Sequence, residues 1–167
     1  MTLEISEHAT PLGPMTAAAH QGRLALLEFS DTAGRIERRL TEVFPGHHRH
    51  AGDPLNMARR IPAYFDRRDF AAFADLEIVF NGPPFHCDVW RELCHIPPGT
   101  TRSYGDLAKR LGKPGAARAV GYANSQNPNA IVVPCHRVIG SNGTLTGYAG
   151  GLERKHWLLV HEGAILI

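Results

Sequence analysis

The chain has 167 residues, 43% of them apolar, enough to bury the core of one generous domain or two small ones, which excludes a disordered or fibrous chain. No run of eighteen apolar residues occurs, and the opening "MTLEISEHAT" has no basic region ahead of an apolar one; neither a membrane span nor a signal peptide is expected, and the expected location is cytoplasmic. Formal net charge is +2, but residues 1–82 carry nine Lys and Arg against eleven Asp and Glu, whereas residues 83–167 carry nine against five, so a basic second half would suit an anionic partner.

The first thirty residues read as three short strands, "LEISEH", "MTAAAH" and "RLALLEF". Turn chemistry at Pro11–Pro14 and at Gln21-Gly22 separates them, which predicts an antiparallel meander. In "TAGRIERRLTEVF", Ile36, Leu40, Val43 and Phe44 recur at helical spacing, predicting an amphipathic helix. The "HHRH" stretch, His47–His50, reads as a solvated loop; a metal site there would need further ligands that the sequence does not offer. Asp53-Pro54 predicts the start of a second helix reaching Tyr64 and Phe65, with Pro62 bending or shortening it. "LEIVF", residues 76–80, predicts a last strand, and Asn81-Gly82-Pro83-Pro84 a boundary between domains 1–82 and 83–167.

The second half reads as mostly helical. Phe85, Val89, Leu93 and Ile96 form an apolar stripe ending at Pro97-Pro98-Gly99. Thr101 or Ser103 can cap a short helix "YGDLAKRLG", and after a turn at "KPG" comes "AARAVGYAN", giving a helix-turn-helix outline. Ala116, Ala117, Ala119, Gly121 and Ala123 leave this second helix nearly bare, with Arg118 its one long charged side chain. From the residues alone, tight helix packing with Arg118 solvated is favoured over DNA binding, because structural uses of a helix pair outnumber DNA-binding ones.

Three cysteines, Cys87, Cys94 and Cys135, lie in no CxxC spacing and are expected as reduced thiols. Cys135 stands in "IVVPCHRVIG", residues 131–140, where an apolar strand-like run meets Pro134 and then the pair Cys135-His136. A buried structural thiol and a nucleophile both remain open. The nucleophile needs help, because an ordinary thiol with a pKa of about 8.5 is mostly protonated at neutral pH. Neighbours on an extended strand point to opposite faces, but Pro134 ends strand pairing and lets one bend present both side chains.

"PCHRV" at 134–138 resembles the active-site signature of the O6-alkylguanine-DNA alkyltransferases. The stretch "TRSYGDLAKRLGKPGAARAVGYANSQNPNAIVVPCHRVIGSNGTLTGYAGGLERKHWLLVHEG", residues 101–163, resembles that family's DNA-binding domain, and "TPLGPMTAAAHQGRLALLEF" the start of its N-terminal domain. The resemblance implies an α/β (α+β) protein: an N-terminal ribonuclease H-like domain that supports the site, then a helical domain with a winged-helix-like helix-turn-helix. It implies an enzyme that flips O6-alkylguanine out of double-stranded DNA and keeps the alkyl group on its own cysteine, acting once, with no cofactor and no metal.

Carried over residue by residue, Cys135 is the acceptor, His136 with Glu162 behind it draws off the thiol proton through a water, and Tyr104 donates to the guanine as charge develops. Arg118 fills the space left by the extruded nucleotide, on a minor-groove helix whose Ala116, Ala117, Ala119 and Gly121 permit close approach. Asn127 is the hinge asparagine. Val138, Tyr148, Ala149, Gly150 and Lys155 belong to the base pocket, and Arg102, Lys109, Arg110 and Lys113 could meet phosphates. The implied partner is DNA and no membrane, the implied state a monomer, with cooperative binding on DNA left open. His86 departs from the family's more usual glutamine. Zinc ligands of some animal relatives have no counterparts, and the acceptor cysteine that lesion-binding relatives replace is kept. Two other functions compete: a helix-turn-helix regulator with an incidental thiol, and a lesion sensor that transfers nothing.

Overall fold

The computed structural model describes residues 1–166. It divides into two compact units, Met1–Asn81 together with Pro128–Val132, and Gly82–Asn127 together with the chain from Val133 onward.

In the first unit β1 (Thr2–His8), β2 (Met15–His20) and β3 (Arg23–Phe29) form the expected antiparallel meander. The β2–β3 turn is Gln21-Gly22, both at positive φ (49° and 75°), the geometry whose twist matches paired strands and for which glycine is suited. Leu24 to Phe29 are all buried, as befits a strand covered on both faces. The helix α1 (Ala33–Val43) follows; Ile36, Leu40 and Phe44 pack with Leu3, Ala18, Ala25 and Leu26 into one cluster. Truncating Leu40 there would cost about 2–5 kcal/mol.

Three expectations are corrected. The His-rich stretch is not a loop: β4 (His48–Ala51) runs parallel to β1 and completes the order β3-β2-β1-β4, the ribonuclease H-like arrangement. Its four exposed residues sit at the sheet edge, where charge and imidazole are tolerated because one face never leaves water. "LEIVF" forms no strand, only a bridge between Leu24 and Ile78. The second helix, α2 (Met57–Arg67), starts later than Asp53-Pro54 suggests. Asp53 still caps it from outside, its carboxylate accepting from the backbone N–H of Met57 and Ala58, both at 2.8 Å.

The second unit comprises α3 (Pro84–Leu93), α4 (Tyr104–Arg110), α5 (Ala117–Ser125) and α6 (Leu152–His161), with β5 (Arg102–Ser103) parallel to β6 (Val138–Ile139). Pro84 opens α3 at a position where its missing N–H is harmless. Ser103 caps α4 in a capping box with Asp106. Val89, Trp90, Leu93, Leu107, Val120 and Leu158 are buried, and the Trp90 indole donates to the Ala123 carbonyl at 2.9 Å, tying α3 to α5. Gly99 adopts φ +82°, and a Cβ there would lie 3.1 Å from the Glu162 carbonyl oxygen, so only glycine fits without displacement.

Among the described residues no helix is long and apolar enough to cross a membrane. Between Asn127 and Val133 the chain leaves the second unit for five residues and returns. In the first unit the Leu27 N–H donates to the Pro128 carbonyl at 2.9 Å and the Ala130 N–H to the Leu27 carbonyl at 2.8 Å. Ile131, within this excursion, has φ +71°, a backbone region that β-branched residues seldom adopt.

Candidate active site

Cys135 does not end a strand, as its sequence suggests; it opens a single 3-10 turn, Cys135–Arg137, directly after Pro134, and β6 follows. The turn sets both side chains of the pair on one bend. Cys135 is in no disulfide and has 6% of its surface exposed, and His136 is fully buried.

Two asparagines hold this turn. The Asn127 amide donates to the Val133 carbonyl at 2.7 Å, pinning together the two ends of the five-residue excursion. The Asn124 amide, from α5, donates to the carbonyl of Cys135 itself at 3.3 Å. The family resemblance singles out Asn127; it does not single out Asn124, although an asparagine on the apolar side of an amphipathic helix needs a buried partner.

Behind the thiol lies a buried ionic cluster. His136 Nε2 meets Glu162 Oε1 at 3.0 Å, and Arg137 grips the same carboxylate with two hydrogen bonds, Nε to Oε1 and Nη2 to Oε2, both 2.8 Å. Arg137 Nη1 also donates to the Ile96 carbonyl at 2.6 Å. Burial alone would raise the Glu162 carboxyl, but the hydrogen bonds from Arg137 and His136 outweigh it and hold the group well below the usual carboxylate range. An ionised carboxylate only accepts. Nε2 of His136 therefore carries the proton, and Nδ1 is the basic nitrogen. Nδ1 is buried and has no hydrogen-bond partner among the described residues. Burial, reinforced by the charges of Arg137 and Lys155, pushes the imidazole down despite Glu162, so it rests neutral at neutral pH.

Arg137 is a second residue that sequence reasoning missed. Its signal was present: a guanidinium in the middle of an apolar run cannot be buried without an acid, and that acid is 25 residues further along.

On the other side of the turn, Lys155 is fully buried on α6. Its ammonium donates to the carbonyls of Val138 (2.5 Å), Thr146 (2.7 Å) and Gly147 (3.4 Å). Burial pulls its pKa down to about 8, against an opposing contribution from Cys135, so a charge on one group favours the charge on the other. The Tyr104 hydroxyl, at the start of α4, donates to the same Thr146 carbonyl at 3.3 Å. Val138, Lys155 and Tyr104 are thus brought together through residues 146–147.

Tyr148 is half-buried, its carbonyl accepting from the Gly151 N–H at 2.9 Å; Ala149 is exposed, and the Gly150 carbonyl accepts from Arg154 at 3.2 Å. This loop turns at Gly143, Gly147 and Gly151, all at positive φ.

The helix-turn-helix is α4 and α5. Arg118 and Ala119 are exposed, Ala116, Ala117 and Gly121 half-exposed. A Cβ on Gly121 would meet the Tyr104 ring at 3.7 Å, so this side of α5 lies beside Tyr104. The surface is less bare than expected: Ala123 is buried, and Tyr122 projects from it with 63% of its surface exposed. Of the other basic candidates, Lys109, Arg110 and Lys113 are exposed, and Arg102 is half-buried. Arg110 lies 3.6 Å from Glu92. His47 and Arg49 bond to one another at 2.7 Å, and no grouping of three or more metal-ligating side chains occurs among the described residues.

A helix-turn-helix beside a buried cysteine, histidine and glutamate defines the class to which this chain is similar. Residues 84–164 match the family model described as the DNA-binding domain of 6-O-methylguanine DNA methyltransferase. The chain is 47% identical to a methylated-DNA–protein-cysteine methyltransferase of Salmonella typhimurium over 95% of each chain, and 44% identical to one of Methanosarcina barkeri over 92% of each. The crystal structure of the Mycobacterium tuberculosis O6-methylguanine methyltransferase superposes with a TM-score of 0.78 at 38% identity, covering 97% of this chain and 93% of that one. The Mycobacterium tuberculosis OGT in complex with DNA gives 0.77, covering 98% and 94%. The chain belongs to the methylated-DNA–protein-cysteine methyltransferase family.

Proposed function

We propose that this protein repairs DNA by direct reversal, moving the alkyl group from O6 of a guanine in duplex DNA irreversibly onto Cys135. The observation that carries this reading is the buried His136, held by Glu162 at Nε2 and basic at Nδ1, next in sequence to a buried thiol that is in no disulfide. The thiol proton passes to Nδ1, directly or through one water, and the imidazolium is stabilised by Glu162. Cys135 Sγ attacks the alkyl carbon, the new S–C bond forms as the C–O6 bond breaks, and the electron pair stays on the guanine. Tyr104 donates a proton or hydrogen bond to that ring, while Lys155 favours the thiolate. The step balances with no cofactor, because the acceptor is part of the chain and is consumed.

A target atom inside a duplex must be extruded. In this reading α5 enters the minor groove, Ala116, Ala117, Ala119 and Gly121 permit close approach, and Arg118 fills the gap. Asn127 holds the hinge, and Val138, Tyr148, Ala149, Gly150 and Lys155 wall the base. Residues 83–167 bind DNA and do the chemistry, and residues 1–82 support them. The protein works as a monomer in the cytoplasm, a reducing compartment that suits three cysteines in no disulfide.

The test is intact mass and peptide mapping after mixing with a duplex carrying one O6-methylguanine. One methyl group on Cys135, with no turnover beyond one lesion per protein, is expected. Binding without a mass change leaves a lesion sensor; sequence-preferring binding without one leaves a regulator.

A further inference from the structure

Tyr122 is the large exposed aromatic of the second unit's helices, and single exposed aromatics need no special explanation. This one differs in two respects. It is braced from the core: the buried Trp90 ring lies 5.9 Å from the His86 ring, and His86 meets Tyr122 edge-on at 5.5 Å and 67°. The ring thus stands in water on an aromatic support, where an unbraced side chain would be free to fold back. It also shares a face with Arg118. Four residues apart on a helix means about 40° around the axis and about 6 Å along it. Gly121, about 60° from Arg118 in the other direction around the axis, lies against the Tyr104 ring.

From this we infer that Tyr122 is a wedge, entering the minor groove together with Arg118 and prising apart the base step next to the lesion. The inference rests on the proposed repair of duplex DNA. A helix about 10 Å across cannot enter a groove about 6 Å wide unless the groove opens. Small residues lower that demand without opening anything. A braced aromatic ring can do the opening, because its flat apolar faces replace the stacking that the bases lose. Arg118 occupies the vacated position; Tyr122, one turn along, lowers the cost of vacating it. Exposed Lys113, 5.0 Å from the Phe85 ring, adds positive charge from the turn that precedes α5.

The experiment compares wild type, Tyr122→Ala and Tyr122→Phe in single-turnover methyl transfer from two substrates: a duplex bearing one O6-methylguanine, and the free nucleoside O6-methyl-2′-deoxyguanosine, which needs no extrusion. Tyr122→Ala is expected to slow the duplex reaction about tenfold, within the range that an aromatic stacked on a base contributes, while leaving the nucleoside reaction unchanged; Tyr122→Phe keeps the duplex rate within about twofold. In the Cys135→Ser background, 2-aminopurine beside the lesion brightens on binding, and adding Tyr122→Ala abolishes the rise. A duplex rate unchanged by Tyr122→Ala overturns the wedge, as does an equal loss with both substrates. Wild-type protein that leaves Cys135 unmodified by the duplex overturns instead the repair reading beneath it, and the wedge falls with it.

Discussion

Glu162→Gln tests the ionic cluster most directly. The side chain keeps its volume and loses its charge, in a site where the Glu162 and His136 side chains are wholly buried and that of Arg137 is 8% exposed. Arg137 is then a buried cation without a counterion, and one amide NH2 must face a donor from Arg137 or His136. Removing one partner of a buried pair costs about 3–5 kcal/mol, out of a total of roughly 5–15 kcal/mol for an ordinary domain. With a urea m-value of about 2 kcal/mol/M, the midpoint should fall by about 2 M. Arg137→Met should cost a similar amount, leaving an ionised carboxylate stranded. Combining Arg137→Met with Glu162→Gln removes both charges, so the pair should cost less than the sum of the singles by about 2 kcal/mol or more. Stability returns but reactivity does not, because His136 has lost the carboxylate that favours its protonated form. Additive singles, or a Glu162→Gln protein as stable as wild type, would refute the cluster as the anchor of the turn.

Acid should act on the same groups. Both His136 and Glu162 have lowered pKa values in the folded protein, so the unfolded chain takes up protons first; urea midpoints should fall as pH drops below the ordinary 6.5 of histidine and again below the 4.5 of glutamate, and Glu162→Gln should shrink the second fall. Transfer rates measured from pH 6 to 10 should decline above about 8 as Lys155 loses its proton and with it the charge that favours the Cys135 thiolate; Lys155→Arg should shift that limb to higher pH, and an unchanged limb would sink the assignment. Asn127→Ala removes one of two hydrogen bonds to the buried Val133 carbonyl, which keeps that from the Cys135 N–H at 2.8 Å, and should cost about 0.5–1.5 kcal/mol in urea unfolding. Tyr104→Phe should change stability by less than about 1 kcal/mol while slowing transfer about a hundredfold, read in the mass-shift assay.

How much of this was legible in the chain depended on whether the physics is local. The β1–β3 meander, the Ser103 cap and the α5 helix follow from turn residues and spacing within a few positions. β4 was not legible, because an edge strand of His, Arg, His and Ala carries no apolar alternation; its stabilisation comes from the main chain of β1, more than forty residues away. "LEIVF" failed the opposite way, with strand-like composition but a single bridge to join. In the site, Cys135 and His136 were visible as neighbours, while Arg137 hid in plain view because the acid that makes its burial tolerable lies 25 residues on. Tyr122 hid among alanines for want of any local cue that it would be braced.

The five residues from Pro128 to Val132 mean that no single cut divides this polypeptide into its two units. A fragment ending at Asn81 would lack the piece of chain that pairs with Leu27, leaving a backbone donor and acceptor of β3 unanswered. A fragment starting at Gly82 would carry that piece, with its left-handed Ile131, and nothing to lay it against. The neck clasped by Asn127 therefore works as a stitch: the thread that forms the thiol-bearing turn has already passed through the other cloth.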